Sequence, residues 1–286
     1  EVSLGNGPAE WQAADPPATA YCAGTPPSVL DEVVVIPFNE PEHAQRLLER
    51  HGDEIACVMI DPAPMRVGCR LVREDFLAAI ADSARRHGML LAVDEVVAFR
   101  MGRGGAQGRL GVTPDLTALG KIIGGGFPVG AVAGRADVMA VFEADQDHGV
   151  RLHHGGTFNA NPVTMVAGLA AMRDMTEAAY DTLNELGAYA RERLGATLGS
   201  AGQATGDGSL FRVYLHQQPI RTIRDTAVDA VQQAELNRIR GELISRGYFL
   251  GSGLIGCLST ATTRAHVDGL CEALRELLAE RGASAG

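Results

Sequence analysis

One residue stands apart on type alone: Lys121 is the single lysine of the 286-residue chain. It follows an apolar segment and opens the stretch Gly120-Lys121-Ile122-Ile123-Gly124-Gly125-Gly126. Most lysines are solvated surface charges, but a sole lysine between apolar residues and three consecutive glycines is poorly suited to that role. An amine in a tight glycine-rich turn can carry a carbonyl compound as a Schiff base, because glycine lets backbone and ligand approach closely. If that compound is a pyridine-type electron sink, a carboxylate must keep its ring nitrogen protonated. Asp94 is the candidate, because it directly follows the uninterrupted apolar run Leu90-Leu91-Ala92-Val93.

Positioning these two groups requires strands and helices in alternation. Residues 33–36 form a β-branched run, 40–51 have helical spacing, 55–60 are a continuous apolar strand ended by Asp61-Pro62, and 74–87 are helical. Apolar strands without polar alternation, separated by helices, predict a parallel sheet covered on both faces. Ligands bind such sheets beyond the carboxyl ends of the strands, where Asp61 and Asp94 are expected. Residues 1–30, rich in Pro, Gly and Ala, read as loop. Pro162 suits the first turn of a helix, and the small apolar residues Ala167, Leu169, Ala170 and Met172 predict that this helix is buried. An amphipathic helix from about 176 to 194, a strand at 210–215 and helices at 229–246 and 264–281 follow. The division predicted is a large domain over 1–175 and a smaller α+β domain over 176–286.

The bulk composition narrows the partners. A formal net charge of −10 without a block of Lys or Arg excludes an extended nucleic-acid or anionic-membrane surface. Five cysteines, an odd number without C-x-x-C spacing, read as reduced thiols of a cytoplasmic protein. The sequence has no apolar run of bilayer length and no signal-peptide pattern. It also lacks an initiator Met, so a processed, trimmed or partial chain is expected. His153 and His154 have no further ligands at metal-site spacing and read as loop scaffolding. Asp145, Asp147 and His148 read as a solvated loop. The cluster Gly124–Gly126 lacks the spacing of a nucleotide fingerprint.

Five motifs in order carry a family resemblance: Leu91-Ala92-Val93-Asp94-Glu95-Val96, Gly105-Ala106-Gln107-Gly108, Thr113-Pro114-Asp115-Leu116, the stretch from Gly120 to Gly130, and Gly156-Thr157-Phe158-Asn159-Ala160-Asn161-Pro162. Together they resemble the class III pyridoxal-phosphate aminotransferases, within the glutamate-1-semialdehyde aminomutase-like branch. The resemblance implies an α/β fold: a fold type I large domain with a mainly parallel sheet and a smaller C-terminal domain, in a homodimer with shared active sites. It implies pyridoxal 5′-phosphate as cofactor, with Lys121 as the Schiff-base lysine and proton shuttle and Asp94 at the pyridine nitrogen. Val96 would pack on one cofactor face, and Thr157 would reach the phosphate in the neighbouring subunit, unless it merely caps a helix. Asp61 matches a family Glu before Pro that lies over the cofactor; a strand-ending turn residue is the other reading.

Departures bear on the reaction. Family members carry an N-terminal region before this chain's first residue, which supplies a phosphate loop and a ring-stacking aromatic. The loop after Asp94 is one residue shorter, Arg66 stands where the aminomutases carry Asn, and Leu254 replaces a Glu, which predicts an apolar wall. The expected activity is therefore transfer of an amino group between an amino donor and a keto or aldehyde acceptor that is more apolar than glutamate semialdehyde. The alternatives are an isomerase on the same scaffold (aminomutase or racemase/epimerase) and a non-catalytic paralogue or partner subunit.

Overall fold

Two apolar runs become neighbouring parallel strands in the computed structural model, which describes residues 15–143 and 152–284. The first fourteen residues and the segment holding Asp145, Asp147 and His148 lie outside that range. Strand β1 (Cys57–Ile60) pairs with β2 (Leu90–Asp94), Ile60 opposite Val93. Strand β3 (Leu116–Gly120) continues the parallel sheet with Ala118 opposite Asp94, and β4 (Gly130–Gly134) closes it antiparallel to β3. Neither β3 nor β4 is visible as a strand in the sequence. Both are short and rich in Gly, Ala and Thr; β3 is a strand because β2 offers a hydrogen-bonding edge, and β4 because β3 does.

Helices α1 (Pro27–Asp31), α2 (Pro41–Arg50) and α3 (Glu74–His87) fill the connections before β2. Proline at the start of α2 occupies a position where its missing N–H costs nothing. Acidic Glu74 and Asp75 open α3, while Arg85, Arg86 and His87 close it, each set matching the helix dipole. The two longer helices bury Ala44, Leu48, Phe76, Leu77 and Ile80 against Val58, Ile60 and Leu91. Each such side chain contributes about 1.5–3 kcal/mol on leaving water. Cover on both sheet faces is realised at β2 but not at β1, where Cys57 and Met59 are exposed. The β-branched run 33–36 forms no ladder among the described residues, since a strand needs a partner edge beside it.

Short helices α4 (Gly105–Arg109) and α5 (Ala136–Met139) precede α6 (Pro162–Asp174). Asn161 caps α6, its Oδ1 accepting the N–H groups of Val163 (3.0 Å) and Thr164 (3.3 Å). The expectation that this helix is buried fails: only Thr164 and Gly168 are buried, and Val166 is 68% exposed. Its apolar composition describes a surface that no described residue covers.

Beyond α6 run α7 (Glu177–Leu198), β5 (Gln203–Thr205), β6 (Leu210–Tyr214), α8 (Ala230–Ser245), β7 (Ile255–Cys257) and α9 (Arg264–Ser284). The strands form an antiparallel sheet in the order β5-β6-β7. A separate core of Leu194, Phe211, Val213, Ile239, Leu243, Leu274 and Leu277 joins them to the helices. Leu254 belongs to this core at 1% exposure.

Candidate active site

The parallel register brings three chain ends together. Ile60 lies opposite Val93, so Asp61 and Asp94 leave β1 and β2 side by side. Lys121 leaves β3, whose Ala118 lies opposite Asp94. The N–H of Glu95 donates to the Ala118 carbonyl at 2.9 Å, which carries the pairing one residue past Asp94. Lys121 has φ of 50°, a left-handed conformation that is uncommon for a residue with a Cβ. It opens a tight 3-10 turn, Lys121–Gly124, and its side chain is exposed.

Two glycines make this turn possible by allowing close approach. A Cβ at Gly168 of α6 would fall 2.2 Å from the Ile123 carbonyl oxygen, so α6 packs on the turn through bare backbone. A Cβ at Gly120 would meet Cγ1 of Val96 at 3.3 Å, which puts the Val96 side chain against the backbone just before Lys121. Val96 also donates its N–H to Asp94 Oδ1 at 3.0 Å, and Asp94 Oδ2 has no hydrogen bond among the described residues. A carboxylate oriented by one oxygen and open at the other, beside an exposed amine and an aliphatic wall, suits a cationic heteroaromatic ring with a carbonyl substituent.

Electrostatics distinguish the acids at this edge. Asp61 is half-buried, and loss of water pushes its carboxyl up to about 6, with the charges of Asp94 and Glu95 adding to the rise. The Ala63 N–H, 2.9 Å from Oδ1, and the Lys121 charge pull the other way. Glu95 is 0% exposed, and burial raises its pKa against the pull of two donors, the N–H groups of Gln107 (2.6 Å) and Ala106 (3.1 Å) at the start of α4. This carboxylate ties α4 to the end of β2. Sequence reasoning assigned Glu95 no role; the signal available was an acid directly after Asp94 with a glycine-led helix ten residues on. At the other end of β2, Asp115 Oδ2 accepts the Leu91 N–H at 2.8 Å and Oδ1 pairs with Arg135 at 2.6 Å, which ties β3 to β2.

Of the five residues singled out in the sequence, Asp61, Asp94, Val96 and Lys121 converge. Thr157 does not join them: it lies in an exposed turn that leads into the Asn161 cap of α6, and no hydrogen bond links it to the other four. Arg66, in the 3-10 turn Met65–Val67, lines a cavity of about 230 Å³ with Asp61, Met59, Val35 and Phe38. No group of three or more His, Cys, Asp or Glu among the described residues is placed to hold a metal.

Comparison with known proteins agrees with this geometry. The family described as aminotransferase class-III matches residues 22–239. A glutamate-1-semialdehyde 2,1-aminomutase of Sorangium cellulosum is 34% identical over 284 residues, covering 97% of this chain and 62% of that protein. The beta-phenylalanine transaminase of Variovorax paradoxus is 36% identical over 263 residues, covering 91% of this chain and 59% of its own. Among solved structures, an omega-transaminase from Sphaerobacter thermophilus superposes with a TM-score of 0.87 at 46% identity, covering 93% of this chain and 63% of that one. The chain thus spans about six-tenths of the length of these relatives.

Proposed function

Since this chain belongs to the class III aminotransferases, a family of fold type I, we propose that it moves an amino group between an amino donor and a keto or aldehyde acceptor, using pyridoxal 5′-phosphate held by Lys121. The observation that carries the reading is that Asp94 and Lys121 lie at the ends of neighbouring parallel strands, Asp94 being paired with Ala118, three residues before Lys121. When bound, pyridoxal phosphate supplies a carbonyl that exchanges amino groups and a ring that accepts electron density. Asp94, oriented by the Val96 N–H, holds the ring-nitrogen proton with its open oxygen. Val96 packs against one ring face and excludes water there. Lys121 would hold the cofactor, and its freed Nζ would carry a proton from the substrate carbon next to nitrogen to the cofactor's carbonyl-derived carbon, and in the reverse direction with the acceptor. Asp61, with its raised pKa, is a half-buried carboxyl beside both groups.

A homodimer fits the exposed apolar surface around the site. Phe127, Val132, Phe158, Val163, Val166 and Leu169 are all exposed, Phe158 to 80%. Exposed large apolar side chains on α6 and the turns beside it are of the kind that mark an association surface. A second copy seated there would cover α6 and bring its own Thr157 toward the first copy's cofactor. Five free cysteines support a reducing compartment, the cytoplasm, and no helix among the described residues is long and apolar enough to cross a membrane. The two separate cores support a division into domains near residue 175.

The likeness to aminomutases favours one second reading, return of the amino group to the molecule that gave it. Incubation with a donor amine and an unrelated keto acid separates the two: amination of the added keto acid is expected, and its absence alongside isomerised product would overturn transfer. Borohydride trapping followed by peptide mapping is expected to put the cofactor on Lys121. A label elsewhere would falsify the assignment.

A further inference from the structure

The loop that follows Asp61 is held from the other half of the molecule. Arg212, on β6, donates Nη1 to two successive carbonyls, Met65 O and Arg66 O, both at 2.9 Å. Thr205, on β5, donates its hydroxyl to Gly68 O at 2.9 Å. The Arg212 guanidinium lies 4.7 Å from the centre of the Tyr214 ring, a stacked cation. Its other side faces Gly253, where φ is 70° and an added Cβ would come within 3.0 Å of Nη2. A planar cation in a slot between an aromatic ring and a bare backbone is a built seat, which a flexible ammonium fills poorly. Tyr214 itself packs on Val67 and Ile220, so Thr205 of β5 and Arg212 and Tyr214 of β6 all touch the 65–68 segment.

That segment is mechanically close to Asp61. The loop is closed at its base by the Val72 N–H on Pro62 O at 2.7 Å, and its first turn is the Ala63 N–H on Asp61 Oδ1. Whatever anchors residues 65–68 therefore sets how Asp61 is sheltered. The titratable and charged groups around Asp61 are Asp94 at the end of β2 and Glu95 just after it, Lys121 from the turn after β3, Cys69 from the far side of its own loop, and Arg66, which lines the same cavity.

We propose that Arg212 and Thr205 are positioning residues that clamp the 62–72 loop from the second sheet and so hold the Asp61 carboxyl in its sheltered place beside Asp94 and Lys121. The inference rests on the site proposed above, but its test does not depend on that site being loaded. Asp61 keeps its raised pKa only while the loop excludes water. Release of the loop hydrates the carboxyl and returns it toward the usual carboxylate range.

The experiment is a carbon-13 NMR titration of Asp61 in the full-length protein, with the signal assigned by its loss in Asp61→Asn. In Arg212→Ala and Thr205→Val the midpoint is expected to fall by about one pH unit or more. Arg212→Lys, which keeps a donor but not the stacked plane, is expected to retain part of the wild-type value. An unchanged midpoint in Arg212→Ala overturns the proposal, whether or not proteolysis between residues 65 and 68 becomes faster. Should Arg212→Ala fail to fold, Thr205→Val decides by the same reading. A failed borohydride label on Lys121 would remove the aminotransferase reading and leave these titrations intact.

Discussion

Asp61 and Asp94 leave neighbouring parallel strands one step past the Ile60–Val93 pair, and the charge of Asp94 adds to burial in raising the Asp61 carboxyl to about 6. Asp94 has the Val96 N–H on one oxygen, while Asp61 is short of water and faces two other carboxylates.

This has a signed consequence for stability. The folded pKa of Asp61, about 6, lies above its ordinary value of 3.8. Between those values the folded state keeps a proton that the unfolded chain releases. Stability therefore falls as pH rises through that window, and the penalty is fully present above it. Asp61→Asn is expected to gain about 2 kcal/mol near pH 8 and nothing near pH 4. Urea unfolding at both pH values checks this, and an equal gain at each would assign the effect to packing.

Asp94→Asn is expected to leave the cofactor bound and lower turnover by about three orders of magnitude, equivalent to about 4 kcal/mol in the barrier. An amide cannot keep a pyridine nitrogen protonated. Single-turnover kinetics with the donor amine measures it, and near-normal rates would remove Asp94 from its proposed role.

Glu95 carries a structural load. Glu95→Ala leaves the Ala106 and Gln107 N–H groups without their acceptor in a fully buried position, at a cost of about 2–4 kcal/mol. Glu95→Gln keeps one acceptor oxygen and is expected to fall between the two. Thermal melts order the three proteins.

The exposed face of α6 is the test of assembly. Val166→Asp puts a charge on the apolar patch and is expected to shift sedimentation from dimer to monomer. Thr157→Ala should weaken the cofactor by about 1–3 kcal/mol, the range for losing a hydrogen bond to a charged group. Mixing Thr157→Ala with Lys121→Ala subunits is expected to restore activity, because one site of each mixed dimer would take its lysine and its threonine from intact copies. Subunits that exchange and recover nothing would sink the shared site.

The places of Lys121 in a glycine-rich turn and of Asp94 at a strand end were legible in the sequence because both signals are local. One is a sole lysine in a run of glycines, the other an acid that ends an unbroken apolar strand. Helices α2, α3, α7, α8 and α9 were legible through periodicity and β1 and β2 through apolar runs, since these patterns depend only on neighbours along the chain.

The tertiary structure decided the rest, because pairing and burial are relations between distant segments. Residues 33–36 have strand composition but no partner edge among the described residues, whereas β4, weak in composition, is a strand because β3 lies beside it. The residues of α6 are apolar enough for a core, yet among the described residues only the side carrying Thr164 and Gly168 is buried. Leu254 sits in a loop, and its burial in the second core depends on helices far along the chain. Arg212 meets Met65 and Arg66 across 147 and 146 positions, and no local pattern could announce that contact. It exists because β6 and the loop after β1 fold against each other, which leaves a guanidinium facing two carbonyl oxygens that need donors.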